Sequence, residues 1–268
     1  MFGRRPDGTL VRDAAPLRRF MPFISPRRND SLVLFSQELV VEEALRFVEQ
    51  RNATRPDDAP MTLFHLILRS IAVALDERPR LNRFVAGGRL WQRNGIWLTF
   101  SAKKRFSDEG ELTTVKRRVD PHASLDDWVD HLLGGIRAGK SEKKTTSDKE
   151  VDLLLRLPPP IVRVLMGLVH LADAFGLLPA SMIESDPMYS SVFVASLGSV
   201  GLDAGYHHLW EHGTCPVFCV IGRIHEGPDG RRRAVLKWSY DERTEDGLYC
   251  AAGLERIREL IESPQKLA

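Results

Sequence analysis

Two short stretches carry the residue types that general acid–base chemistry needs. Residues 241–247 read DERTEDG, and residues 206–213 read YHHLWEHG, with three histidines. An imidazole titrates near neutral pH and can take or give a proton. What these stretches can do depends on the elements that position them, and an Asp-Gly pair such as Asp246-Gly247 is also typical of a turn.

The composition is that of a soluble globular protein. The chain has 268 residues, 43% hydrophobic and 28% charged, and we expect one domain. Its 38 Lys and Arg against 36 Asp and Glu give a net charge of +2, which argues against nucleic-acid binding. Basic runs at 103–105, 116–118 and 231–233 could hold a phosphorylated ligand such as coenzyme A, but solvated surface charge is the simpler interpretation.

The cysteines indicate a reducing compartment. Cys215, Cys219 and Cys250 are odd in number and lack metal-ligand spacing, so we expect neither a disulfide framework nor a metal site. The first 19 residues contain charges and no uninterrupted apolar run, so we expect no signal peptide and a cytoplasmic protein.

Hydrophobic periodicity predicts an α+β fold with a mixed, largely antiparallel sheet flanked by helices. Residues 1–15 lack periodicity and are interpreted as an N-terminal arm. His65, inside an apolar helical stretch, is interpreted as a core histidine. The pattern predicts strands at 31–39, 83–104 (a meander), 111–120, 190–201, 215–226 and 231–242, and helices at 40–52, 61–79, 124–139 and 248–264.

Residues 151–182 are the most apolar segment, and they follow a lysine-rich connection at 139–150. Prolines 158–160 and scattered charges interrupt the segment, which argues against a membrane span. We expect two helices separated by the prolines, packed on the domain or shielding a ligand channel. Contact with a membrane surface is the alternative.

Four stretches carry a resemblance to a known family. They are PLRRFM at 16–21, MTLFHLILRSIAVALDERPRLNRFV at 61–85, SLGSVGLDAGYHHL at 196–209 and VLKWSYDERTEDGLYCAAGLERIRELIESP at 235–264. They resemble the opening, the long buried helix, the N-L-G-x-x-G strand entry and the closing D-H-R-x-x-D-G motif of dihydrolipoamide acyltransferase catalytic domains. The resemblance implies the chloramphenicol acetyltransferase fold over residues 16–268, with the apolar helices at about 151–182 as an insert.

The family's chemistry is what the resemblance implies for the site. The motif histidine takes a proton from a thiol, usually coenzyme A or dihydrolipoamide, and a Ser or Thr hydroxyl stabilises the oxyanion, in a channel between subunits of a trimer. In this chain Glu242 stands at the histidine position and Tyr206 at the hydroxyl position.

Other implied site residues match the family more directly. Asp246 matches as it stands and could keep an orienting role, paired with Arg18 or Arg19. Arg18 and Ser199 are the expected substrate-binding residues.

The departure at Glu242 leaves two interpretations open. A carboxylate with a pKa of about 4.3 is a poor base for a thiol with a pKa of about 8.5, so the simpler interpretation is that the activity has been lost. In the other, His207 or His208, expected on opposite faces of a strand, reaches Glu242 of a neighbouring subunit and restores a carboxylate–imidazole pair with the roles exchanged.

Two functions follow from these interpretations. The first is a stand-alone, homotrimeric acyltransferase that uses coenzyme A or acyl-CoA and moves an acyl group between thioesters and an unknown acceptor. The second is a non-catalytic, acyltransferase-like trimer that serves as a binding or scaffold protein. Because the residues before Pro16 are too few for a lipoyl domain, we do not expect the core of a dehydrogenase complex.

Overall fold

Strands and helices follow one another much as the sequence pattern predicts. The computed structural model describes residues 4–103, 110, 112–140 and 152–267, so residues 141–150 of the lysine-rich connection lie outside the described residues. The strands are β1 (Arg4–Arg5), β2 (Gly8–Leu10), β3 (Leu32–Val40), β4 (Arg83–Ala86), β5 (Arg89–Arg93), β6 (Ile96–Lys103), β7 (Leu112–Val119), β8 (Val192–Ser196), β9 (Val217–Glu226) and β10 (Arg232–Asp241). The helices are α1 (Pro16–Ile24), α2 (Glu42–Asn52), α3 (Leu63–Glu77), α4 (Leu125–Lys140), α5 (Pro159–Ala174), α6 (Ala180–Ser185) and α7 (Gly247–Glu262).

The larger sheet has the order β3-β10-β9-β8-β6-β7. Strand β8 pairs parallel with both of its neighbours, and the other pairs are antiparallel. The predicted α+β fold with a mixed, largely antiparallel sheet is therefore confirmed.

One face of this sheet carries helices α2, α3, α4 and α7. Alternate side chains of β9, Cys219 and Ile221, point into that helical core, whereas Phe218 and Val220 point to the opposite face, where Leu209 packs on them. The 206–213 segment therefore lies on the face that the helices leave free.

Helix α3 is buried along most of its length, as its apolar pattern predicts. His65 is 3% exposed, and its Nδ1 accepts a hydrogen bond from the backbone N–H of Thr62 at 3.0 Å. Burial lowers the pKa of His65 to about 4, so the ring is neutral in the folded chain. The interpretation of His65 as a core histidine holds.

A second, smaller sheet differs from the sequence prediction. Its order is β1-β2-β5-β4, so residues 4–10, expected to have no regular structure, form two short strands. Strand β5 pairs with β2, and after the turn at 94–95 the chain crosses to β6 in the other sheet. The predicted meander over 83–104 is therefore wrong beyond β5, because β2 occupies the edge that β6 would have needed.

The apolar segment has helical residues at 152–154, followed by α5 and α6, and the prolines stand between residue 154 and the body of α5, as the sequence predicts. No residue of α5 is buried, yet its C-terminal end is anchored to the small sheet. Arg5 donates to the carboxylate of Asp173 at 2.8 Å, and Gly87 packs so closely on Ala174 that an added Cβ would lie 2.0 Å from its carbonyl oxygen. No helix in the described ranges is both long and apolar enough to cross a bilayer.

Candidate active site

The DERTEDG stretch starts at the end of β10, and its first residues form a buried ion pair. Asp241 is 0% exposed, and Arg243 Nε and Nη2 each lie 2.8 Å from one of its carboxylate oxygens. Arg243 Nη1 also donates to the carbonyl of Pro26 at 2.7 Å, and the Thr244 hydroxyl donates to the carbonyl of Asp241 at 2.8 Å. A bidentate pair of this kind fixes the backbone on both sides, so it ties the end of β10 to the segment after α1.

Arg28 connects the same ion pair to the histidine-rich 206–213 segment. Its Nη2 donates to the carbonyl of Gly213 at 2.9 Å, and its Nη1 donates to the carbonyl of Trp210. Its Nε lies 3.7 Å from the carboxylate of Asp241. Within a single chain, the two stretches singled out by residue type are thus joined through one buried arginine.

Glu211 adds a second connection between these segments. Its carboxylate accepts from the backbone N–H of Asn29 at 2.9 Å and from that of Arg28 at 3.2 Å. Burial would raise the pKa of Glu211, but these hydrogen bonds outweigh it and hold the pKa below its ordinary value. Glu211 is therefore an ionised anchor and not a general acid.

Glu242 lies between these buried groups but is itself exposed. Its backbone N–H donates to the carbonyl of Ser31 at 2.9 Å, and its own carbonyl accepts from Arg18 Nη1. Its carboxylate makes no hydrogen bond or ion pair with any residue that the structure describes. The backbone of Glu242 is held while its side chain faces outward.

Asp246 is the N-cap of α7. Its Oδ1 accepts from the backbone N–H of Tyr249 at 2.9 Å, and this hydrogen bond holds the pKa of Asp246 below its ordinary value. Arg18, one of its two expected partners, donates to the Glu242 carbonyl, and its charge also lowers the pKa of Asp246. Helix capping accounts for the Asp-Gly pair within the single chain.

His207 and His208 do not alternate between two faces, as the expected strand would require. The structure assigns residues 202–210 to no strand, and the two imidazole rings stack with 4.5 Å between centroids. The His207 ring also stacks on Phe218 at 4.0 Å, and its Nδ1 lies 2.7 Å from the carbonyl oxygen of His208. A carbonyl only accepts, so Nδ1 carries the proton and Nε2 of the neutral ring keeps its lone pair.

Two hydroxyl groups lie near this segment. Tyr206 is 46% exposed, with its ring centroid 4.7 Å from Nζ of Lys237. Ser199, in a short turn after β8, donates its hydroxyl to the carbonyl of Ser196 at 2.6 Å. The proton of Ser199 is thus already engaged.

A further carboxylate–imidazole pair, which sequence reasoning missed, lies beside α5. His212 Nε2 is 2.7 Å from a carboxylate oxygen of Asp186, and its Nδ1 is 3.3 Å from Nε2 of His170. The hydrogen bond to Asp186 raises the pKa of His212. The sequence shows three histidines in this segment, but Asp186 lies in a distant loop and no spacing rule links the two residues.

Two of the three cysteines, Cys219 and Cys250, are not candidate nucleophiles. Burial raises the pKa of Cys250 to about 12 and that of Cys219 well above its ordinary value, so both remain thiols. In the described part of the chain, no three His, Cys, Asp or Glu side chains group as a metal ion would need.

The comparisons with solved structures agree with the fold described above. The dihydrolipoamide acetyltransferase of Azotobacter vinelandii is similar at a TM-score of 0.62 and 17% identity, over 96% of this chain and 94% of that one. A catalytic core of the 2-oxoacid dehydrogenase multienzyme complex from Thermoplasma acidophilum gives 0.60 and 15%, over 95% and 98%. A chloramphenicol acetyltransferase gives 0.60 and 12%, over 95% and 99%.

No protein-family model matches the sequence, and no curated protein does. The structural similarity, at these low identities, establishes the fold alone. The chain has the chloramphenicol acetyltransferase-like fold that the sequence predicts.

Proposed function

We propose that the chain is a cytoplasmic, homotrimeric acyltransferase that moves an acyl group between a coenzyme A thioester and a second acceptor. The observation that carries the proposal is the tautomer of His207. Because its Nδ1 donates to the carbonyl of His208 at 2.7 Å, its Nε2 is the nitrogen that can accept a proton. The similar acetyltransferase of Azotobacter vinelandii has a histidine, a serine and an asparagine whose roles in the catalytic mechanism were investigated.

His207 is a suitable base for this chemistry. An imidazole with a pKa of about 6.5 is closer to a thiol of about 8.5 than a carboxylate of about 4.3 is. In the proposed reaction, Nε2 takes the proton of the acceptor, and the acceptor anion attacks the thioester carbonyl carbon. Collapse of the tetrahedral intermediate breaks the bond between that carbon and the sulfur of coenzyme A, and the imidazolium returns the proton to the leaving thiolate.

Glu242 of a neighbouring copy is the proposed carboxylate partner of His207. Because Nδ1–H already donates to the His208 carbonyl, the part of Glu242 is to stabilise the positive charge that the ring gains when Nε2 takes the proton. Two features of the single chain support a second copy at this place. The carboxylate of Glu242 is exposed with no partner among the described residues, and large apolar side chains are exposed within or near the two candidate stretches in sequence. They are Val200, Leu202, Trp210 and Leu248. Apolar side chains grouped in this way are typical of an interface.

Tyr206 is the proposed donor to the oxyanion. It is exposed next to His207, whereas the Ser199 hydroxyl already donates to a backbone carbonyl. Arg18 is a positioning residue, since it holds the carbonyl of Glu242.

The second candidate is a non-catalytic binding protein with the same fold. One observation favours it: Asp241 and Arg243 form a buried ion pair, and Asp246 caps a helix, so these motif residues are explained without any reaction.

The test is acyl transfer from short- and long-chain acyl-CoA donors to thiol, hydroxyl and amine acceptors. Replacing the base by His207→Gln should lower kcat/KM by about 10²- to 10⁴-fold. Glu242→Gln should lower it too, and the double variant should lose little more, because the two groups act as one unit. His122→Ala is the matched control, since that imidazole is exposed elsewhere on the surface.

Two outcomes would contradict the proposal. Unchanged rates in His207→Gln and Glu242→Gln would remove the proposed base and its carboxylate partner. A wild-type protein inactive with every donor would favour the binding protein.

A further inference from the structure

A basic pocket lies between β7, α6 and the turn that follows β5, away from the candidate active site. Its volume is about 120 Å³, several times the ~30 Å³ that one water occupies in the liquid. Arg93 and Tyr189 are the deeply buried residues of its wall, at 4% and 3% exposed. Asn94, Arg118 and Glu184 are exposed at its mouth. The pocket is therefore open to solvent at one end and polar at the other.

The buried end contains hydrogen-bond donors that the described chain does not use. Arg93 Nη2 donates to the carbonyl and the hydroxyl of Thr214, at 2.9 Å each, but Arg93 Nε and Nη1 have no hydrogen-bond acceptor in the described chain. The Tyr189 hydroxyl also has no partner there. Burial raises the pKa of Tyr189, so this hydroxyl stays protonated and remains a donor. Unpaired buried donors are costly and rare in folded proteins.

Lys116 adds a second, partly buried cation to the same pocket. Its Nζ donates to the carbonyls of Ile183 at 2.6 Å and Asp186 at 3.0 Å, which leaves one ammonium hydrogen. Burial, followed by repulsion from Arg93, lowers the pKa of Lys116 to about 8. An anion between the two cations would relieve that repulsion.

Lys116 belongs to the basic run that the sequence shows at 116–118. On strand β7, Lys116 and Arg118 share a face and line the pocket, while Arg117 points the other way, towards Gly135 of α4. Because side chains alternate between the two faces of the strand, two of the three basic residues line the pocket and the third does not.

The acidic groups at the pocket do not neutralise it. The Asp7 carboxylate lies 3.7 Å from Arg93 Nη1 but is already bound by Arg5 Nε at 2.9 Å. Glu184 sits at the exposed mouth, where Arg118 offsets it. What remains is positive charge and unused donors at the buried end.

We propose that this pocket binds a small oxyanion of the phosphate class. Arg93, Lys116 and Tyr189 would supply the donors. Phosphate oxygens accept several hydrogen bonds at once, which matches a cavity lined by residues whose donors have no acceptor in the described chain. The proposal does not depend on acyl transfer, because it requires neither the subunit interface nor a thioester.

The test measures thermal unfolding against inorganic phosphate, with chloride at the same ionic strength as the reference, because a ligand of the folded state raises Tm with its concentration. Wild type should show a phosphate-dependent rise in Tm. Tyr189→Phe should keep its Tm without phosphate, since the hydroxyl has no protein partner, and should bind phosphate about three- to ten-fold more weakly. Tyr249→Phe is the matched control, because it removes a hydroxyl elsewhere and should leave the phosphate response unchanged.

A nucleoside monophosphate separates two sources of the oxyanion. If the nucleotide raises the Tm of wild type and Tyr189→Phe weakens that rise, the pocket binds a phosphate carried by a nucleotide. If only inorganic phosphate raises the Tm, the pocket binds the free ion. If phosphate raises Tm no more than chloride does, or if Tyr189→Phe responds like wild type, the donors serve buried water and the proposal fails.

Discussion

The Arg243→Met variant tests whether the start of DERTEDG holds the fold together. Arg243 makes two hydrogen bonds to the carboxylate of Asp241 and donates to the carbonyls of Ser25 and Pro26. Methionine keeps much of the apolar stem but removes all four hydrogen bonds and leaves Asp241 as a buried anion. Removing one partner of a buried ion pair costs about 3–5 kcal/mol.

The expected loss is at the lower end of that range. Arg28 Nε remains 3.7 Å from the Asp241 carboxylate, and the backbone N–H of residue 243 still donates to it at 3.1 Å. We therefore expect a loss of about 3 kcal/mol. With an m-value of about 3 kcal/mol/M, this lowers the urea midpoint by about 1 M.

The assay is urea unfolding at one protomer concentration, since assembly makes stability depend on concentration. Arg89→Met is the matched control: its side chain is exposed, so its free energy of unfolding should stay within about 0.5 kcal/mol of wild type. Adding Asp241→Asn to Arg243→Met should recover part of the loss, because it removes the buried charge. A loss below about 1 kcal/mol, or no recovery in the double variant, would show that the Asp241–Arg243 ion pair does not hold the fold together in this way.

Three further predictions follow from the structure. Light scattering should give three times the mass of one chain, and a monomer at micromolar concentration would contradict the proposed interface. Asp186 raises the pKa of His212, so this pair stabilises the fold below about pH 6.5, and the contribution is lost as pH rises through the folded pKa. The difference in urea midpoint between wild type and His212→Gln should therefore shrink from pH 6 to pH 8. A constant difference would contradict this. Gly201 has a φ of +78° and open space around it, so Gly201→Ala should lower the free energy of unfolding by about 1 kcal/mol. Gly87 has a φ of +57°, and an added Cβ would lie 2.0 Å from the Ala174 carbonyl oxygen, so Gly87→Ala should lower it clearly more. Equal urea midpoints for the two variants would show that α5 does not pack on this turn.

Elements with strong local signals could be predicted from the sequence. In strand β10 every second residue from Ala234 to Trp238 faces the core, namely Ala234, Leu236 and Trp238. Helix α3 is apolar over most of its length. Ser124 caps α4 as its spacing from Asp127 predicts, with Asp127 N–H donating to the serine hydroxyl at 3.1 Å.

Features that depend on distant partners could not be predicted in this way. The strands at residues 4–10 form beside β5, and Arg5 is bound by Asp173, far along the chain. The residue types of the candidate site were visible, but the arrangement of His207 and His208 was not. Their rings stack because that segment pairs with no strand, and strand alternation therefore does not apply to it.

The order of the larger sheet has a consequence for how the chain is made. Strand β3 leaves the ribosome early, but its partner β10 is among the last segments to be synthesised, and Leu32 pairs opposite Asp241. Until then, β3 presents an unpaired edge with apolar side chains such as Leu34 and Phe35. Contacts between such distant segments slow folding and leave nascent chains open to aggregation. Production of this protein should therefore benefit from slow synthesis at low temperature or from chaperones that shield the first half of the chain.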